Sequence, residues 1–168
     1  MVNTFLPYSD FRQSARVLDN KRLLKQRVEA YQIIKAIETR YSDHPSCWIR
    51  HPAAKQWIGY VPALKLYCNE MIDETIRRGF NNHMEKYVLP LNEPIVKPWW
   101  IGYAPIHAAH QASLLRKHPD HYKQYFRVPS EYMDYAYIWV VNLPHEIQTG
   151  MRNKKWYPLS ALAKKFKK

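Results

Sequence analysis

A chain of 168 residues and 20.2 kDa is the size of one domain, or one domain with a tail, and a hydrophobic fraction of 46% excludes bulk disorder and fibrous repeats. No apolar window approaches the roughly eighteen residues of a membrane span, the amino end MVNTFLPYSDF lacks a secretory signal, and the pair Cys47 and Cys68 excludes a disulfide framework. Twenty-six Lys and Arg against fourteen Asp and Glu give +12, and with 14% aromatics this suits nucleic acid, although net charge also serves solubility alone. The expectation is an intracellular protein, cytoplasmic or nuclear, with no secretion signal and no membrane partner.

The first predicted helix has Ser14 as its N-cap and runs from Ala15 to about Thr39. Val17, Leu24, Val28, Tyr31 and Ile34 fall on one apolar face of it. A second helical run extends from about Pro52 to Arg78, with Trp57, Val61, Leu64, Cys68, Met71, Ile72 and Ile76 as apolar positions. Pro62 should kink or split that run, and Gly79 suits the residue after its end. A third helix starts near Pro105 and stops before Pro119, and a short aromatic helix in DHYKQYF follows. VLPLNEPIVKPWW and FRVPSEYMDYAYIWVVNLP are irregular connections, within which YAYIWVV is either a short strand or a buried extended stretch. With no βαβ alternation, the predicted fold is all-α: compact, single-domain and helical, with long irregular connections.

Charge divides the chain. Residues 1–40 hold eight basic and four acidic side chains, residues 41–150 eleven and ten, and residues 151–168 seven and none. Residues 1–150 are therefore read as a helical domain and 151–168 as a basic tail, either a short helix, a phosphate-contacting arm, a nuclear-targeting signal or a solubilising end.

The first helix carries the pattern closest to chemistry. Arg22, Lys25, Gln26, Glu29 and Gln32 stack at spacings of three and four, opposite the apolar face. Cations around Glu29 should keep it ionised, and such an anion can stabilise a cationic sugar intermediate or take its proton. A solvated face with ordinary ion pairs explains the same pattern. His107 and His110, like His118 and His121, are one turn apart, but nothing local completes a metal set, so none is expected. Capping, phosphate contact and core hydrogen bonding are all open to them. The absence of a Walker loop, GxGxxG, HExxH and GxSxG removes support for kinase, dehydrogenase, zincin and serine-hydrolase readings.

Three segments in order, RLLKQRVEAYQIIKAI, LKLYCNEMIDETIRRGFN and HAAHQASLLRKHPDHYKQYF, resemble the pyrimidine-dimer DNA glycosylase family, the endonuclease V-like enzymes. The resemblance implies an all-α, cofactor-free, monomeric repair enzyme acting on damaged double-stranded DNA. It implies cleavage of the glycosyl bond at a damaged base, a cyclobutane pyrimidine dimer in the family, then a lyase nick at the abasic site. The family's nucleophile is the α-amine exposed by loss of the initiator Met, which forms an imine, while a base of the kinked duplex is flipped out. Carried over by position, Val2 supplies that amine, Glu29 is the catalytic carboxylate, and Arg27, which matches the family's preceding Arg with a one-residue offset, is the third catalytic residue. Arg22 falls near the family's helix His.

The stretch from Val2 to Glu29 is longer than in the phage member, and Val2 and Asn3 stand where Thr and Arg are usual. An α-amine titrates at about 7.7–8.0 and is nucleophilic near neutrality. Lys21 or Lys25 is the alternative amine. Arg16, Lys21, Arg22, Lys25, Gln32, His107, His110, Arg116 and Lys117 are the expected DNA contacts, with Tyr122 and Tyr125 as an aromatic surface beside Phe126. A non-catalytic basic module for DNA or RNA, or a packaging protein, would use the same charge without the chemistry.

Overall fold

The structure, a computed structural model, describes residues 3–129, 138–140, 146–149 and 156–158. It is mostly helical, as expected, and divides into two compact units: Met1–Phe5 with Asp10–Pro98, and Leu6–Ser9 with Trp99–Lys168.

In the first unit, α1 (Phe11–Val17) and α2 (Asn20–Glu38) replace the single long helix expected from Ser14. The reason is local. Asp10 accepts from the Gln13 N–H and Asp19 from the Arg22 N–H, so each aspartate caps a separate helix. Leu18 between them is extended, at ψ 136°, and Ser14 lies buried inside α1. The next predicted run divides as its prolines direct. Its pieces are α3 (Pro52–Lys55), capped by the His51 ring, and α4 (Val61–Arg77), which takes Pro62 into its first turn. α4 closes on Gly79 at φ +78°, with Gly79 N–H on Ile76 O and Phe80 N–H on Thr75 O, the paired bonds of a Schellman end.

The core lies where α2 and α1 pack on α4. Leu23, Ala30, Ile33, Ile34 and Ile37 of α2 meet Leu64, Tyr67, Cys68, Met71 and Ile72, and the Phe11 ring stands edge-on to Tyr67. The helix is thus turned relative to the expected face. Val28 and Tyr31 are 41% and 44% exposed, while Gln26 and Glu29 are buried. Both faces satisfy a three-four spacing, and a polar-means-outside rule selects the wrong one.

The second unit holds α5 (Ala104–Lys117) and α6 (Pro119–Tyr122), close to the expected bounds. It also holds three short strands, β1 (Ile138–Val140), β2 (Glu146–Thr149) and β3 (Trp156–Pro158). These pair antiparallel in chain order, Trp139 opposite Gln148 and Ile147 opposite Tyr157. β1 takes up the strand alternative for YAYIWVV. β3 falls within the stretch read as a tail, whose other residues lie outside the described ones. Among the described residues, no helix is long and apolar enough to cross a membrane.

Candidate active site

The site is built where the first residues of the chain enter the α2–α4 interface. Asn3, Thr4 and Phe5 are all buried and tied down by polar contacts. Thr4 Oγ1 accepts from Trp57 Nε1 at 3.0 Å and from Gln56 Nε2 at 3.3 Å. The Phe5 N–H donates to Gln26 Oε1 at 2.7 Å, and its carbonyl oxygen lies 3.0 Å from the Tyr67 hydroxyl. That hydroxyl is also 2.6 Å from Gln26 Oε1. An extended segment with no helical or sheet partners must satisfy its buried backbone through side chains, and Gln26 and Tyr67 do so.

Gln26 then turns to Glu29. Its Nε2 donates to Glu29 Oε2 at 2.6 Å, one helical turn on. Lys25 Nζ stands 3.4 Å from Glu29 Oε1, and the Asn3 N–H donates to the same carboxylate. Glu29 is 4% exposed, and burial raises its pKa above the usual carboxylate range, against the lowering effects of Lys25 and Asn3. This corrects the expectation that cations would dominate. Among the described residues Lys25 is the cation paired with it, and the Lys25 side chain is mostly in solvent. A buried carboxyl with a raised pKa exchanges protons nearer neutrality than a surface one.

The other expected residues fall into distinct settings. Arg27 is half-buried, its Nε 3.3 Å from Leu24 O and its guanidinium on Asn82 Oδ1, so the chain after α4 fixes its direction. Arg22 pairs with Asp19 at 3.0 Å. Lys21, Lys25 and Gln32 are exposed on α2, and Arg16 on α1 borders an open cleft with Arg12, Arg77, Glu70, Asp73 and Glu74. Val2 lies outside the described residues.

In the second unit, Arg116 and Lys117 are exposed at the end of α5 and Tyr125 is 42% exposed. Tyr122 is fully buried and stacks on Phe126 at 5.6 Å. His107 and His110 take the core hydrogen-bonding alternative. His107 Nδ1 donates to Leu6 O at 2.8 Å while its Nε2 accepts from the Gly102 N–H, and the Leu6 N–H donates to His110 Nδ1 at 2.8 Å. Burial lowers both pKa values, that of His110 to about 3, so both rings are neutral. Their role in this unit is to hold the Leu6 backbone. Among the described residues, no group of three or more His, Cys, Asp or Glu is placed to hold a metal ion.

Sequence reasoning misses Asn3, Tyr67 and Asn82, and it leaves Gln26 in the stack without a role. Gln26 alone carries a local signal, its position three residues before Glu29 on one helix.

The model of one protein family, described as pyrimidine dimer DNA glycosylase, matches residues 2–88, more than half of the chain. Searches of curated proteins and of solved structures find no match.

Proposed function

Because the chain belongs to the pyrimidine dimer DNA glycosylase family and is a DNA repair glycosylase acting on DNA, we propose that it excises the dimer through an imine and then nicks the abasic site. The α-amine of Val2, freed by loss of Met1, is the nucleophile. It bonds to the anomeric carbon as the glycosyl bond breaks, and that bond's electrons leave with the base. The sugar ring opens to a protonated imine. Glu29 removes a proton from the neighbouring sugar carbon, and those electrons flow toward the iminium and expel the 3′ phosphate. Water then hydrolyses the imine and regenerates the amine.

One observation carries the reading. The Asn3 N–H sits on the Glu29 carboxylate, and only three covalent bonds separate that nitrogen from the α-nitrogen of Val2. The extra residues between Val2 and Glu29 therefore present no obstacle to their meeting. The raised Glu29 pKa suits a group that both accepts and returns a proton. Arg16, Lys21, Arg22, Lys25, Gln32, Arg116 and Lys117 serve phosphates of double-stranded DNA, Arg27 assists Glu29 in catalysis, and half-exposed Tyr125 serves as a stacking surface, whereas Tyr122 is buried on Phe126. A nucleotide is flipped from the stack to give the amine access, and the protein acts as a monomer.

Borohydride added during turnover on a dimer-bearing duplex tests this. It should reduce the imine and leave protein covalently on DNA, with the modified residue mapping to Val2. An adduct on Lys25, whose amine lies 3.4 Å from Glu29, would keep the lyase and overturn the nucleophile. Absence of any adduct, with binding intact, would favour a non-catalytic DNA-binding module.

A further inference from the structure

Gln26 is 1% exposed and makes three hydrogen bonds to three different parts of the first unit. Its carbonyl oxygen accepts the Phe5 N–H and faces the Tyr67 hydroxyl, and its amide nitrogen donates to Glu29. A carboxamide is the one uncharged side chain of this length that can accept twice and donate at its tip. The orientation is fixed by its surroundings. A flipped amide would set its NH2 against the Phe5 N–H and its oxygen against the carboxylate. The contacts also close a ring: Gln26 to Glu29, Glu29 to the Asn3 N–H, and along two residues to Phe5 and back to Gln26. Tyr67 braces this ring from α4 through both Gln26 Oε1 and Phe5 O.

We infer that Gln26 is a positioning residue, which locks the start of the chain and the Glu29 carboxylate into one register, with Tyr67 as its brace. The inference rests on the reading of Val2 and Glu29 as the reacting pair. Gln26 hydrogen-bonds both partners, the chain start and the carboxylate. Lys25 touches Glu29 from α2 but is exposed, Tyr67 faces the network from α4 through Gln26 and Phe5 O, and Asn3 reaches Glu29 from the chain start. A displacement of about 1 Å between reacting groups costs on the order of 10²-fold in rate, so a residue that fixes that spacing should be visible in kinetics.

Three variants and two readouts decide it. Gln26→Met keeps the volume and loses all three hydrogen bonds. Gln26→Glu keeps both acceptor contacts but sets a second buried carboxyl against Glu29. Tyr67→Phe leaves the Gln26–Glu29 bond and removes only the brace. In single-turnover excision, Gln26→Met should lose about 10–100-fold with duplex affinity unchanged. Gln26→Glu should move the acidic limb of the pH–rate profile upward, because two adjoining carboxyls share a proton. Tyr67→Phe should lose less than either. The second readout needs no turnover: the carboxyl 13C titration of Glu29 should move to higher pH in Gln26→Met, which withdraws a donor from the charged form.

An unmoved Glu29 titration with wild-type rates in folded Gln26→Met would overturn the inference. The two readings fail separately. Wild-type protein that gives no borohydride adduct removes the amine mechanism, while the 13C titration still decides whether Gln26 sets the state of Glu29.

Discussion

Glu29 and Glu74 lie in the same helical unit at 4% and 5% exposure, yet their pKa values move in opposite directions. Burial dominates at Glu29. At Glu74 the Arg77 hydrogen bonds lead, and with Arg78 they outweigh burial and hold the carboxyl below its usual range. The consequences for stability have opposite signs. Glu74 contributes stability that is present above the unfolded carboxylate pKa and lost as pH falls through its lowered folded value. Glu29, bound to its proton more tightly when folded, favours the folded state in acid, and that contribution is lost as pH rises through its raised folded value. At neutral pH its charge is therefore a burden on the fold. Glu29→Gln should lower turnover by about 10²–10⁴ while leaving the melting temperature at pH 7 equal to or above that of the parent. Rate measurements paired with thermal melts check both halves. A large fall in melting temperature with normal turnover would make Glu29 a structural ion-pair partner and nothing more.

At the scale of elements, the join between α1 and α2 depends on a residue from a third helix. Arg78, just past α4, donates to the carbonyl oxygens of Ala15, Arg16 and Leu18 and to Asn20 Oδ1, while its Nε bonds Glu74 at 2.7 Å. It thus satisfies the open carbonyl end of α1 with a positive charge where the helix dipole favours one. Arg78→Ala should cost about 2–3 kcal/mol, the scale of hydrogen bonds to a charged group, and Arg78→Lys should recover little because an ammonium lacks the planar fork. Urea unfolding midpoints measure it, and a loss below about 0.5 kcal/mol would show the carbonyls are as well served by water. Elements set by their own residues are legible in the sequence: Pro62 splits its run, Gly79 closes α4, and Pro105 and Pro119 bracket α5. The buried side of α2 is not. Gln26 and Glu29 are polar, and what makes burial tolerable for them arrives from residues 3–5 and Tyr67, far away in sequence. The candidate carboxylate is thus readable from its motif, whereas its titration and its supporting network are properties of the tertiary arrangement. The break at Asp19 escapes a sequence reading because two adjacent helices with compatible spacing read as one.

Across the whole molecule the net charge of +12 is concentrated near the two ends of the sequence, and its role in binding can be separated from the chemistry. Seven basic residues lie in 151–168, but Trp156–Pro158 forms β3 and pairs with β2, so removing the entire segment would strip a strand as well as charges. A truncation after Ser160 avoids this. It deletes Lys164, Lys165, Lys167 and Lys168 and leaves β3 in place. If those lysines neutralise phosphates, the slope of log affinity against log salt should flatten by about 0.9 for each lysine–phosphate pair removed. The slope should therefore fall by roughly 1–4, with affinity reduced equally for damaged and undamaged duplexes. The preference for a dimer should stay constant, because phosphate contacts carry no information about the base. Excision rates at saturating protein should also hold, since Glu29 and its network belong to the other unit. Titrations at several salt concentrations on matched duplexes supply the measurement. An unchanged slope would remove these lysines from the DNA-binding surface. A changed preference at constant slope would instead assign the carboxy-terminal segment a part in reading the lesion, and the basic charge would no longer be a uniform attraction for the backbone.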